Sequence, residues 1–166
     1  ITYYNNSPDV LTYLWVQLDQ NMRAKDSDTY KIQSQELGDR VSFRQLMRMQ
    51  NKFDGGFNID YVKNANDQDM TYIINKTMMR VNLDQPLNPG EDVSFKIKWW
   101  YNINDRMKDR GRSGYELFPE DGNIVYNIAQ FFPRMAVYND VEGWQHKQFL
   151  GSGEFALVFG DYEVNI

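Results

Sequence analysis

Residues that could carry out covalent or metal chemistry are scarce in this sequence. It contains a single histidine, His146, and no cysteine. A zinc site of the HExxH type needs two imidazoles one helical turn apart, so this chain cannot build that site by itself. Without cysteine there are no disulfides, no thiolate metal ligands and no thiol nucleophile, although the redox compartment stays open.

Serine and carboxylate chemistry also lack a recognisable setting. A Ser/His/Asp triad would depend on His146, and no GxSxG pattern places a serine on a strand-to-helix turn. The GRSG stretch at 111–114 lacks the GK[ST] ending of a phosphate loop. The carboxylates show no EF-hand spacing, and no pair stands out as a glycosidase site. An independent hydrolase that uses carboxylates is therefore the weakest functional hypothesis.

One basic cluster lies within the polar stretch 104–123 of an otherwise acidic chain. Its members are Arg106, Lys108, Arg110 and Arg112. Because Asp105 and Asp109 are interleaved with them, the first interpretation is a solvated loop of mixed charge. The alternative is a docking site for an acidic partner surface.

A second cluster follows a predicted strand at 124–132 and mixes polar with aromatic side chains. Its members are Gln130, Phe131, Phe132, Pro133, Arg134, Tyr138, Asn139, Asp140, Gly143 and Trp144. Aromatic residues beside a proline most often pack a corner of the core, but polar groups gathered after a strand end also form binding sites. For Arg134 and Asp140 the structural interpretation is an internal pair that holds the loop.

Strand patterns must position these clusters. Residues 11–19 are apolar on both faces, which predicts a strand inside the fold. Residues 57–63 alternate as a half-buried strand, and 70–85 with 92–103 are predicted to form a hairpin across the PLNPGE turn. In the second arm one face is apolar and consists of Val93, Phe95, Ile97 and Trp99.

The rest of the chain completes a β-rich prediction. Residues 20–39 are predicted as a loop, Asp39 as the cap of a short helix that reaches Gln50, and 155–166 as the last strand. Aromatic residues make up 15% of the chain, which favours sheet. The fold class predicted is all-β, an antiparallel β-sandwich or saddle-shaped sheet with one short helix.

Length and charge limit the remaining function classes. The 166 residues fit a single domain, which buries roughly 70% of its unfolded surface. A net charge of −5 argues against nucleic acid and acidic membranes as partners, and no apolar run is long enough for a membrane span. The chain starts without Met or a signal pattern and stops within a predicted strand, so we expect a trimmed piece of a longer protein, whose compartment stays unassigned.

Three stretches resemble the N-terminal domain of M1-family zinc aminopeptidases, in a branch from bacteria related to Bacteroides. TYLWVQLDQN at 12–21 is similar to the family's early strand, and 81–99 is similar to its hairpin with "PL" and a Gly-containing turn. The segment 130–166 is similar to the substrate-side segment and the strand after it. The order and spacing of these stretches, more than any one of them, carry the resemblance.

The resemblance implies that residues 1–166 are a non-catalytic N-terminal β-domain of a multidomain peptidase. Its partners would be its own downstream catalytic domain and the N-terminus of a peptide substrate. Zinc would be bound in that absent domain, and no cofactor is expected in this chain. Whether the parent enzyme is active, and in which compartment, is left open.

The resemblance to the family also implies which residues line the substrate cleft. Gln130 matches the first residue of a Gln-x-Glu/Gln pattern near the substrate amine, but Phe132 stands where the second polar residue is expected. Arg134 and Asp140 match the Arg and Asp of the segment that follows, at a shorter spacing. We therefore expect Gln130 to line the cleft as a hydrogen-bond acceptor.

An interdomain face should carry aromatic residues that are exposed in the isolated domain. The candidates are Trp99, Trp100, Tyr138 and Trp144. The competing hypothesis is a stand-alone β-sandwich binding module for carbohydrate or protein, because exposed Trp and Tyr side chains also stack on sugar rings.

Overall fold

The computed structural model describes residues 1–34, 42–43, 53–108, 112–151 and 156–165. Its helices are a 3-10 helix at Asp19–Arg23 and the α-helix α1 at Asp28–Ser34. The strands, in chain order, are β1 (Thr2–Tyr4), β2 (Leu11–Gln17), β3 (Asn58–Asn64), β4 (Tyr72–Asn75), β5 (Met78–Leu87), β6 (Asp92–Trp100), β7 (Gly114–Phe118), β8 (Asn123–Asn127), β9 (Arg134–Met135), β10 (Tyr138–Asn139) and β11 (Gly143–Trp144).

Two antiparallel sheets form the body of the molecule. One has the strand order β4-β5-β2-β9 and the other the order β1-β6-β3, while β7-β8 and β10-β11 are separate two-stranded ribbons. This arrangement, with one short α-helix among the described residues, confirms the all-β antiparallel prediction.

A shared apolar core fills the space between the two main sheets. From β2 and β5 it takes Leu14, Val16, Met79 and Val81, all with no solvent exposure. Val62 of β3 and Phe95 of β6 join the same cluster. Leu14 lies opposite Val81 and Val16 opposite Met79, so the alternation of each strand places its apolar set on the inner face.

The PLNPGE turn joins the two sheets, so the predicted hairpin is wrong. β5 pairs with β4 and β2, whereas β6 pairs with β1 and β3. Asn5 holds this corner: its backbone N–H donates to Glu91 O at 2.9 Å, and its buried side-chain amide donates to Leu87 O at 3.0 Å. Turn residues mark a reversal of the chain, but they do not specify which strand lies next to it.

Other local predictions are corrected too. The stretch 20–39, predicted as a loop, contains most of the 3-10 helix and all of α1. Residues 156–165 form no strand, and Phe159 there is 99% exposed. The strand predicted at 124–132 ends at Asn127, and 104–123 includes β7. The helix expected from Asp39 to Gln50 falls almost entirely outside the described residues.

We predict that Leu14→Ala lowers the free energy of unfolding by about 2–5 kcal/mol, because the side chain has no solvent exposure and its removal leaves a cavity between the two sheets. Urea denaturation would measure the change. Thr12→Ala, at an exposed position of the same strand, is the matched control and should cost less than about 1 kcal/mol. Equal losses in the two variants would contradict the placement of Leu14 in the core.

Candidate functional site

The segment 128–133, which we call the Gln130 loop, connects β8 to β9 and carries two of the predicted cleft residues. It holds Gln130 and Phe132, and Arg134 follows at the start of β9. Three of the four candidates are thus close neighbours in the sequence within one short segment. Asp140 lies elsewhere, exposed on the turn between β10 and β11.

Hydrogen bonds from several elements hold the backbone of the Gln130 loop. The side-chain amide of Gln20, in the 3-10 helix, donates to Ala129 O at 2.6 Å and to Gln130 O at 3.4 Å. The indole N–H of Trp99 donates to Phe131 O at 3.2 Å. The N–H of Ala129 donates to Ser113 Oγ at 2.8 Å. A loop fastened at three successive residues has little freedom to rearrange.

Gln130 lies at the centre of these contacts in an unusual backbone conformation. Its φ is +54°, in the left-handed region that glycine adopts far more readily than other residues. Such a conformation costs on the order of 1 kcal/mol and persists only where surrounding contacts enforce it. The side chain is exposed and makes no hydrogen bond within the part of the chain that the structure describes.

Phe132 belongs to a small aromatic cluster beside Gln130. Its ring meets the ring of Phe131 edge-on, with centroids 4.9 Å apart, and that of Tyr162 at 5.9 Å. Phe132 is therefore engaged with other rings, and it brings no polar atom to the loop. Phe131 itself is exposed.

A buried ion pair fixes the end of the Gln130 loop. The guanidinium of Arg134 lies 2.7 Å from Asp19 Oδ2, and the carboxylate is almost fully buried. The sequence analysis predicted an internal pair between Arg134 and Asp140. That pairing is wrong, because Asp140 makes no ion pair with any described residue. Gln17 lies opposite Arg134 in the β2–β9 register, so the sheet itself brings Asp19 to its partner.

Burial and charge act in opposite directions on Asp19. Desolvation raises the pKa of its carboxyl above the ordinary value of 3.8, and this effect outweighs the lowering caused by the charge and hydrogen bond of Arg134. Asp19 and Gln20 were not among the sequence candidates. The sequence signal that could have indicated them was the run of polar residues 19–21 soon after an apolar strand. In the structure all three of these residues are buried.

The four aromatic candidates occupy different environments. Trp100 is 51% exposed at the end of β6, whereas Trp144 is 7% exposed and packs on the rings of Tyr3 and Tyr138. Trp144 therefore belongs to the core and cannot contribute to an exposed face. Trp99 points its apolar ring toward the core, and its N–H bonds the Gln130 loop.

Tyr138 and His146 are also held by internal contacts. The hydroxyl of Tyr138 donates to Asp9 Oδ2 at 2.6 Å, an interaction that raises the pKa of Tyr138 to about 12. The ring of His146 stacks on Trp15 with centroids 5.1 Å apart. Both side chains are therefore engaged in contacts within the domain.

In the described part of the basic cluster, basic side chains lie next to acidic ones, in agreement with a loop of mixed charge. Arg106 contacts Glu116 at 3.5 Å and Lys108 contacts Asp105 at 3.2 Å. Arg110 lies outside the described residues. Ion pairs of this exposed kind contribute little to stability.

Within the described ranges, no group of three or more His, Asp or Glu residues could hold a metal ion. No described helix combines the length and the apolar character required to cross a membrane.

The chain matches no protein-family model, and it has no match among curated proteins or solved structures.

We predict that Arg134→Met lowers the free energy of unfolding by about 3–5 kcal/mol, because it leaves the Asp19 carboxylate buried without a cation. The double variant Asp19→Leu/Arg134→Met should recover most of that loss. Arg106→Met removes an exposed pair and is the matched control, with a cost below about 1 kcal/mol. A double variant no more stable than the single one would show that the two residues do not interact.

The stability should also depend on pH through Asp19. Because its pKa is raised in the folded protein, the folded state binds a proton more tightly than the unfolded chain. The contribution of this proton to the free energy of unfolding is therefore complete below the ordinary pKa of about 3.8. It is lost as pH rises through the folded-state pKa of Asp19. The difference in unfolding free energy between wild type and Asp19→Asn should fall as pH rises from about 3.8 through the folded-state pKa of Asp19. A rising difference would mean that Arg134 dominates over desolvation.

Proposed function

We propose that this chain is a non-catalytic domain of an M1-type zinc aminopeptidase that packs on a catalytic domain and shapes its substrate cleft. The observation that carries the proposal is the presentation of Gln130. Its amide is exposed and free of internal hydrogen bonds among the described residues, while its backbone is held in a left-handed conformation by Gln20 and Trp99.

This arrangement suits recognition of a peptide amine. The amide oxygen of Gln130 is an acceptor for the three N–H donors of an ammonium group. Because the loop is already fixed, binding would cost little additional ordering of the protein. Phe132 supplies no second acceptor, so polar recognition by this domain would depend on Gln130.

Exposed apolar residues support the packing role. Trp100 is exposed, and so are Leu157, Phe159, Tyr162 and Val164 near the end of the chain. Tyr162 contacts Phe132, so one of these exposed residues lies beside the Gln130 loop. Large apolar side chains left in solvent are candidates for a surface that another domain covers.

The carbohydrate-binding alternative has less support from the aromatic side chains. A sugar platform needs open ring faces, but Trp144 is buried and the ring of Trp15 is covered by His146, which leaves Trp100 as the exposed tryptophan. The guanidinium of Arg80 lies 4.2 Å above the ring of Tyr13. An affinity gel with immobilised polysaccharide tests this alternative directly, and we expect no retardation.

The proposal is tested first in the gene that encodes this chain. We expect the reading frame to continue into a domain with HExxH and a downstream Glu, the zinc ligands that the chain itself does not provide. A stop codon soon after codon 166 would remove the peptidase proposal. A following domain without the motif would indicate a non-catalytic relative.

In the full-length enzyme, Gln130→Ala should lower kcat/KM for aminopeptidase substrates about tenfold, because a hydrogen bond to a charged group is lost. Gln130→Gly should cause the same loss but raise thermal stability relative to Gln130→Ala, since glycine adopts φ +54° without strain. Gln85→Ala, at an exposed glutamine on β5, is the control. Unchanged kinetics in both Gln130 variants would exclude Gln130 from the cleft.

A further inference from the structure

The hairpin formed by β7 and β8 has one face made only of aromatic and aliphatic side chains without charge. Tyr115 lies opposite Tyr126 and Leu117 opposite Ile124, so these four side chains share one side of the ribbon, which we call the hairpin face. Leu117, Ile124 and Tyr126 are 52%, 48% and 58% exposed. The other side is mixed, with Glu116 opposite Val125 and Phe118 opposite Asn123.

The backbone hydrogen bonds that attach the hairpin to the described body of the molecule lie at its base. The N–H of Tyr115 donates to Asn104 O, and the N–H of Arg106 donates to Tyr115 O, each at 2.9 Å. Toward the tip, β8 is exposed along its whole length. A two-stranded ribbon has little stability of its own in water, and exposed apolar residues on one side of it indicate an interaction surface.

Charges of opposite sign lie at the two ends of the hairpin. Glu120 and Asp121 occupy the tip, and Arg112 lies at the base. Arg112 and Glu120 are both exposed, and neither makes an ion pair with the described remainder of the chain. Five residues per strand give a length of about 17 Å, so a second hairpin laid antiparallel on the first would bring each tip to the other's base.

We propose that the hairpin face binds the same face of a second copy of this chain in an antiparallel, two-fold symmetric contact. In such a contact each residue meets the equivalent patch of its copy. The apolar residues pair without any buried charge, and Glu120 of each chain lies near Arg112 of the other. This charge complementarity, together with an uncharged face, favours a second copy over an acidic partner.

The contact should be weak and sensitive to salt. Four side chains of each chain bury much less than the roughly 800 Å² per partner of a standard interface, so we expect a weak and rapidly reversible association. The chain's net charge of −5 opposes association of two copies, and only the ends of the hairpin offset this repulsion. The contact uses a surface distinct from the Gln130 loop, so it does not depend on the proposed function.

Sedimentation velocity of the 166-residue chain over a range of concentrations tests the proposal. We expect a reversible dimer whose dissociation constant rises at least tenfold in Leu117→Ser/Ile124→Ser. Because both positions are exposed, these substitutions leave the fold intact, and a circular dichroism spectrum confirms it. Val141→Ser, at an 88% exposed position on another turn, is the matched control and should leave the dimer unchanged.

Charge reversal tests the antiparallel geometry. Arg112→Glu and Glu120→Arg should each weaken the dimer, and the double variant should restore it, because in a two-fold contact the two reversed charges face each other again. Lys25→Glu, an exposed reversal far along the chain, controls for net charge. A chain that stays monomeric at high concentration overturns the proposal, as does a dimer that survives the Leu117 and Ile124 substitutions. Protection of the hairpin only within a longer parent protein would assign the face to an interdomain contact and would also overturn it.

Discussion

The ion pair between Asp19 and Arg134 is the interaction on which the arrangement of this domain depends. It connects the start of the 3-10 helix, just after β2, with β9, and it does so inside the protein, where a charge without its partner is costly. Because Gln17 and Arg134 are also neighbours in the sheet, backbone and side-chain contacts agree on one position for β9. Because the Gln130 loop leads directly into β9, the position of β9 also fixes the end of this loop.

The Gln130 loop illustrates how a rigid sheet supports an irregular segment. Gln20 holds it from the 3-10 helix and Trp99 from β6, so a helix and a strand each contribute a donor to its carbonyl oxygens. Every such bond uses a side chain whose own backbone is fixed by secondary structure. The loop therefore keeps an unfavourable conformation at Gln130, which a loop fastened only at its two ends would relax.

The sequence predicts which face of a strand is buried better than it predicts which strand lies next to it. The alternation of Val93, Phe95 and Ile97 predicted the inner face of β6, because side-chain direction in a strand depends only on position. The partner of β6 was predicted wrongly, since the PLNPGE turn serves equally well between sheets and within one. The partner of Arg134 lies near the other end of the chain, and only the β2–β9 register reveals it. Residues 155–166 have the pattern of a strand, but a strand also requires a neighbour, and the described part offers none.

The position of β2 has a consequence for how the chain folds as it is made. β2 lies between β5 and β9, yet it precedes both by a long stretch of sequence. At about 5–20 residues per second, a ribosome needs on the order of ten seconds after completing β2 to reach Arg134 and Met135. During that interval β2, apolar on both faces, has at least one unpaired edge. The order of the strands thus makes the nascent domain most vulnerable to misassociation early in synthesis, when its most buried strand is still incompletely covered.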